Sequence, residues 1–185
     1  MASHGVCPWW VDFFATPFRR LMQDPAPIVV PYVHAGMTVL EPGPGMGFFT
    51  LELARLVGPS GHVIAVDVQP QMIAGLRRRA RRAGLLGRID ARVVPPTSMG
   101  LDDVKGGVDV VFAFAVVHEM PRAASFFSEA AVAMKPGATL LLAEPAGHVD
   151  EAEFARELAA AAHAGLAVIR HLSIRRYRTT LLRRP

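Results

Sequence analysis

The chain has 185 residues, 51% of them hydrophobic and 19% charged, which supplies apolar surface for one folded domain without disulfides and excludes a disordered chain. Its net charge of +4 comes almost wholly from arginine, clustered in Arg77–Arg82 and Arg170–Arg184, and its lone cysteine, Cys7, excludes an internal disulfide or a multi-cysteine metal site. The start of the chain lacks a basic leader and is interrupted by Pro8 and Asp12, and no apolar run reaches the roughly 18 residues of a spanning helix, so a cytoplasmic protein without a membrane span is expected.

Residues 1–31 carry Trp9, Trp10, Phe13, Phe14 and Phe18 among five prolines, and read as a cap or lid with short helices near Pro8 and Pro17. From residue 32 the texture becomes that of a core. Met37–Leu40 reads as a buried strand, and Phe48–Val57 has helical spacing and stops at Gly58-Pro59. His62–Asp67 is a second strand, Pro70–Arg82 a helix with one arginine face, and Ile89–Val94 a third strand. Val108–Phe114 is a fourth, Ala123–Met134 a helix, Thr139–Ala143 a fifth strand, and Glu151–Ala164 a helix ended by Gly165. Ala167–Ile174 and Tyr177–Leu182 read as two last strands joined at Arg175-Arg176. Strands alternating with helices predict a doubly wound, mostly parallel α/β sheet with helices on both faces, in one domain spanning 1–185. Two consecutive strands at the end require one to be antiparallel.

After the first strand comes Glu41-Pro42-Gly43-Pro44-Gly45-Met46-Gly47. Glycines at every second position let the backbone turn sharply and approach a ligand closely. A dinucleotide fingerprint needs Gly-x-Gly-x-x-Gly, and Phe48 stands where its third glycine belongs. Glu41 would repel a pyrophosphate but suits a cation such as the ammonium and sulfonium of S-adenosylmethionine. Asp67 ends the second strand about 20 residues on, where an acid reaches ribose hydroxyls.

The segment VLEPGPGMGFFTLELA, with GHVIAVDVQPQMI after it, resembles the class I (Rossmann-like) S-adenosylmethionine-dependent methyltransferase family. That family's acid-x-Gly-x-Gly-x-Gly motif is matched by Glu41, Gly43, Gly45 and Gly47. The resemblance implies a seven-stranded sheet with an antiparallel last strand, and S-adenosylmethionine as cofactor. It places the ribose acid at Asp67 and puts Val68 and Met72 near the adenine. DVVFAFAVVHEM, which includes Phe114, resembles the strand bordering the methyl-transfer site, and MKPGATLLLAEP the following helix end and fifth strand. One departure concerns the adenine amine: the stretch after the third strand has no acid, so Thr97, Ser98 or a backbone carbonyl takes that contact, with Met99 on the ring.

Methyl transfer relies chiefly on alignment of nucleophile and methyl carbon, and needs a base only where the acceptor must lose a proton. His118-Glu119, beyond the fourth strand, is the candidate catalytic pair, the alternative being that it caps the next helix. Glu144 lies after the fifth strand and either binds substrate or ends the strand; Trp9, Trp10 and Phe14 are the other candidate substrate residues. A small-molecule acceptor is expected. The rivals are an RNA or protein methyltransferase working through the arginine surface, a non-catalytic cofactor-binding protein, and a nicotinamide-dependent oxidoreductase. The arginines read as a solvated helix face, with no aromatic interleaving or base-flipping motif, so no nucleic-acid partner is expected.

Overall fold

The structure, a computed structural model, describes residues 25–185. In chain order its elements are α1 (Ala26–Val29), β1 (Thr38–Pro42), α2 (Thr50–Leu56), β2 (His62–Asp67), α3 (Pro70–Arg82), β3 (Ile89–Val93) and β4 (Val108–Phe114). They continue with α4 (Ala123–Ala133), β5 (Met134–Pro145), α5 (Glu151–His163), β6 (Ala167–Ile174) and β7 (Tyr177–Arg183). The strands form a seven-stranded sheet of order β3-β2-β1-β4-β5-β7-β6. This is the expected doubly wound sheet, with β7 antiparallel to both its neighbours. Residues 25–94 and 95–185 fall into two compact units.

In the first unit β1, β2 and β3 are parallel, with Leu40 opposite Ile64, Glu41 opposite Ala65, and Val66 opposite Arg92. Continuous apolar runs make these strands buried on both faces, as parallel strands covered by helices must be. Val39, Leu40, Val63, Ala65 and Val66 are all buried. Helix α3 buries Met72, Ile73, Leu76 and Ala80 at helical spacing, and begins with Pro70 at its first turn. Helix α2 starts at Thr50 rather than Phe48; Phe48 and Phe49 form a buried turn before it, their rings edge to face at 4.9 Å.

In the second unit β4 and β5 are parallel, and β7 returns antiparallel along β5. Strand β5 is longer than the sequence pattern predicts. Helix α4 ends at Ala133, Met134 already pairs with Val108, and pairing resumes with Val110 opposite Thr139. Lys135-Pro136-Gly137 therefore sits in an irregularity of the pairing, a place within a sheet where proline's missing donor is tolerated. Phe112, Leu140, Leu141, Leu142 and Leu182 fill the core of this unit. Asp150 caps α5 by accepting from the Glu153 backbone N–H at 2.7 Å. Among the described residues no helix is long and apolar enough to cross a membrane.

Candidate functional site

The glycine loop follows β1 directly. Gly43, Gly45 and Gly47 have φ of 63°, 54° and 88°, the left-handed region that side chains resist. Gly43 N donates to Val66 O at 2.9 Å, which ties the loop to the end of β2 beside Asp67. Gly47 N donates to Pro44 O at 3.0 Å and closes a tight turn over Gly45 and Met46. A Cβ on Gly47 would lie 2.5 Å from Leu76 Cδ1, so a larger residue there must displace the Leu76 side chain.

Parallel pairing puts Glu41 and Ala65 side by side, and the two-residue period of a strand puts Asp67 on the same face. Glu41 is 3% exposed, and its Oε2 has no hydrogen-bond partner among the described residues. Burial pushes its carboxyl up to about 8, and the charge of Asp67 adds to the rise. The Thr50 hydroxyl opposes this, but Thr50 Oγ1 also lacks a partner by hydrogen-bond geometry and so does not satisfy the acid. An uncompensated buried carboxylate is costly unless a cation or donor completes it. Asp67 accepts from the Gln69 backbone N–H at 2.8 Å, which fixes the turn into α3. The donor set fits a zwitterionic adenosyl ligand: an acid for its ammonium, an acid for its ribose, and a side-chain-free loop between them.

The second unit gathers a different set. Glu144, near the end of β5, is wholly buried and accepts from Val117 N at 2.8 Å and Val116 N at 3.3 Å through one oxygen. Its other oxygen accepts from His118 Nδ1. That contact leaves Nε2 as the free face of the imidazole. His118 stands on a short 3-10 turn, Val117–Glu119, entered through Ala115 at φ 55°, a strained value for a residue with a Cβ. Burial disfavours the imidazolium, but the hydrogen bond and charge of Glu144, with the charges of Glu119 and Glu157, outweigh it and raise the His118 pKa above 6.5. The His148 ring lies 5.9 Å away.

Glu157 was not singled out by the sequence. It sits on α5 in the stripe of Phe154 and Ala161, is 5% exposed, and its Oε2 has no partner among the described residues. Burial, with the charge of Glu144, lifts it to about 8. The signal was there to read: an acid three residues after Phe154 and four before Ala161 lies on the apolar face of its helix. Glu129 and Arg79 were also missed, since neither position breaks a pattern.

The remaining predicted residues divide clearly. Met72 is buried in α3 and Val68 is exposed at the end of β2. Ser98 Oγ donates to Glu129 Oε2 at 3.1 Å and accepts from Gly100 N at 3.1 Å, and Met99 N donates to the same Glu129 oxygen at 2.7 Å. Ser98 is thus held by α4, Thr97 is exposed, and Met99 is buried. Phe114 packs against Phe112 at 5.8 Å and Tyr177 at 4.5 Å. Glu144, read as a possible substrate contact, has both oxygens engaged within the protein. Trp9, Trp10, Phe14 and the rest of the aromatic cap, Cys7 included, lie outside the described residues.

A family model described as a methyltransferase domain matches residues 33–183. The chain is similar to a solved S-adenosylmethionine-dependent methyltransferase from Aquifex aeolicus, at 24% identity and TM-score 0.81 over 97% of this chain and 98% of that one. It is 34% identical over 137 residues to a ribosomal protein L11 methyltransferase of Pelotomaculum thermopropionicum, covering 74% of this chain and 40% of the relative. It is 48% identical over 51 residues to a protein-L-isoaspartate O-methyltransferase of Methanothrix thermoacetophila, covering 28% of this chain and 24% of that protein. The chain thus spans from a quarter to two-fifths of these curated relatives' length.

Proposed function

We propose that this chain, which belongs to the class I S-adenosylmethionine-dependent methyltransferase family, transfers a methyl group to a small-molecule acceptor. The observation that carries the cofactor reading is the Glu41 carboxyl, buried next to the glycine loop with one oxygen unpartnered. Glu41 would bind the ammonium of the cofactor, and the backbone of Gly43, Gly45 and Gly47 would pass close beneath it. Asp67 would accept from the ribose hydroxyls, with Val68 and Met72 flanking the adenine. Thr97, Ser98, Met99 and Phe114 are the further cofactor contacts in this reading. The bound cofactor supplies an electrophilic methyl on a sulfonium whose departure leaves a neutral thioether.

His118 is the proposed base for an acceptor that must lose a proton. Glu144 holds Nδ1 and so presents Nε2; its part is to position His118 rather than to meet substrate. Glu119 adds negative charge that favours the protonated imidazole once the proton has been taken. The small-acceptor reading draws on the arginine helix. Arg77 and Arg79 are spent on the internal carbonyls of Ala91 and Met46, which reduces the basic face that a nucleic acid could use. The ribosomal-protein relative favours a protein acceptor as the second reading.

Calorimetry with S-adenosylhomocysteine is the first test, followed by a screen of phenols, thiols, amines and small peptides with product S-adenosylhomocysteine as readout. Binding of the adenosyl ligand and turnover of a small acceptor are expected. Binding of NADH in its place would refute the cofactor reading, and turnover confined to peptides would overturn the acceptor.

A further inference from the structure

We infer that Arg79, on the outer part of α3, is a positioning residue for the glycine loop: by holding the Met46 carbonyl it sets the shape in which residues 43–47 receive the cofactor. This rests on the reading that the loop binds S-adenosylmethionine. Gly43, Gly45 and Gly47 leave most of the loop backbone loosely specified, with Pro44 alone restricting φ among residues 43–47, and glycine loses more entropy on ordering than any other residue. Something outside the loop must therefore fix it before a ligand arrives.

The structure shows the fixing points. Arg79 Nη1 donates to Met46 O at 2.8 Å across 33 residues of sequence. The peptide that joins Met46 to Gly47 is planar, so its carbonyl and its N–H are constrained together. Its N–H is already given to Pro44 O, and Arg79 takes the other end. Gly75 is one helical turn before Arg79 on the same face, and a Cβ there would stand 3.1 Å from Met46 Cγ. Leu76 fills the space left by the absent Cβ of Gly47. Gly75, Leu76 and Arg79 thus form a seat on α3 for the Met46–Gly47 peptide. The arginine cluster that drew attention in the sequence divides accordingly: Arg78, Arg81 and Arg82 are exposed, while Arg79 is half-buried against the loop.

The helix contains its own control. Arg77 Nη2 donates to Ala91 O, a comparable bond from the same helix to β3, away from the loop. Arg79→Met and Arg77→Met should both lower the melting temperature of the ligand-free protein, because each loses a charged donor to a carbonyl. Arg79→Met alone should weaken S-adenosylhomocysteine binding, by about tenfold, and speed amide exchange at residues 43–48 without ligand. Arg79→Lys, which keeps a donor, should recover most of that loss. Gly75→Ala, which favours the helix while crowding Met46, should weaken binding several-fold with no loss of melting temperature. Unchanged affinity and loop exchange in both Arg79→Met and Gly75→Ala would overturn the role of Arg79 alone. Failure of the wild-type protein to bind S-adenosylhomocysteine would sink the cofactor reading, and this role with it.

Discussion

Two glutamates near the ends of strands invite comparison, Glu41 on β1 in the first unit and Glu144 on β5 in the second. Both are buried, at 3% and 0% exposure. Glu144 is saturated, receiving two backbone N–H groups and the imidazole of His118. Glu41 keeps one oxygen with no partner among the described residues and a carboxyl pushed up to about 8. A protein leaves a buried carboxyl incomplete only at a cost, which supports the proposal that Glu41 meets a ligand. The complete one marks where the fold holds a neighbour still. Position at a strand end is therefore not enough to separate the two roles proposed for these acids; hydrogen-bond accounting distinguishes them.

The largest effect should come from the residue that Glu144 holds. His118→Gln should lower kcat by roughly 10²- to 10⁴-fold for an acceptor that loses a proton, with cofactor affinity unchanged. In the wild type the rate should rise with pH and level off above a midpoint higher than 6.5, because the raised pKa delays the neutral, accepting form. His118→Gln should erase that limb. Equal activity in the variant would show that the second unit contributes alignment only.

The two acids should then part company. Glu144→Gln replaces an acceptor oxygen by a donor, so it sets an N–H either against two backbone donors or against His118. A loss of about 2–3 kcal/mol in stability is expected, together with a rate midpoint shifted to lower pH. Glu41→Gln should do the reverse. It removes an unsatisfied charge site, so the ligand-free protein should melt no lower than wild type, while S-adenosylhomocysteine binding falls by about 10- to 100-fold. If Glu41→Gln destabilised the empty protein as much as Glu144→Gln does, the contrast between them would be broken.

How legible these features were in the sequence follows from the same physics. From residue 37 on the strands and α-helices could be read almost to their ends, because apolar runs and helical spacing reflect burial directly, and even the turn at Arg175-Arg176 fell where expected. Helix α1 (Ala26–Val29), too short to show a period, was not read. The length of β5 could not be read: Lys135-Pro136-Gly137 signals a stop, and only pairing with Val108 carries the strand across it. Glu41 and Asp67 were visible because they flank the glycines at fixed spacing. The hydrogen bonds of Glu144 were not, since the donors of Val116, Val117 and His118 lie 26 to 28 residues away. Arg79 was hidden for the same reason, its partner being 33 residues distant, and so was the bond from Ser98 to Glu129, 31 residues away.

The smallest effect is the most direct probe of the unfinished acid. Raised from 4.5 to about 8, the Glu41 carboxyl is protonated in the ligand-free protein at pH 6.5. Ionising it inside the fold costs more than ionising it in the unfolded chain. It therefore withdraws stability as pH rises between about 4.5 and 8, and Glu157, raised to about 8 as well, adds to that loss. A bound ammonium reverses the preference and favours the carboxylate. Binding at pH 6.5 should thus release up to one proton, and affinity should rise with pH until about 8. Calorimetry of S-adenosylhomocysteine in buffers of different ionisation enthalpy reads that proton as a slope. The slope should vanish in Glu41→Gln, which has nothing to release, and should persist in Glu157→Gln. A slope that survives Glu41→Gln would place the proton elsewhere and remove the electrostatic basis for assigning the ammonium to Glu41.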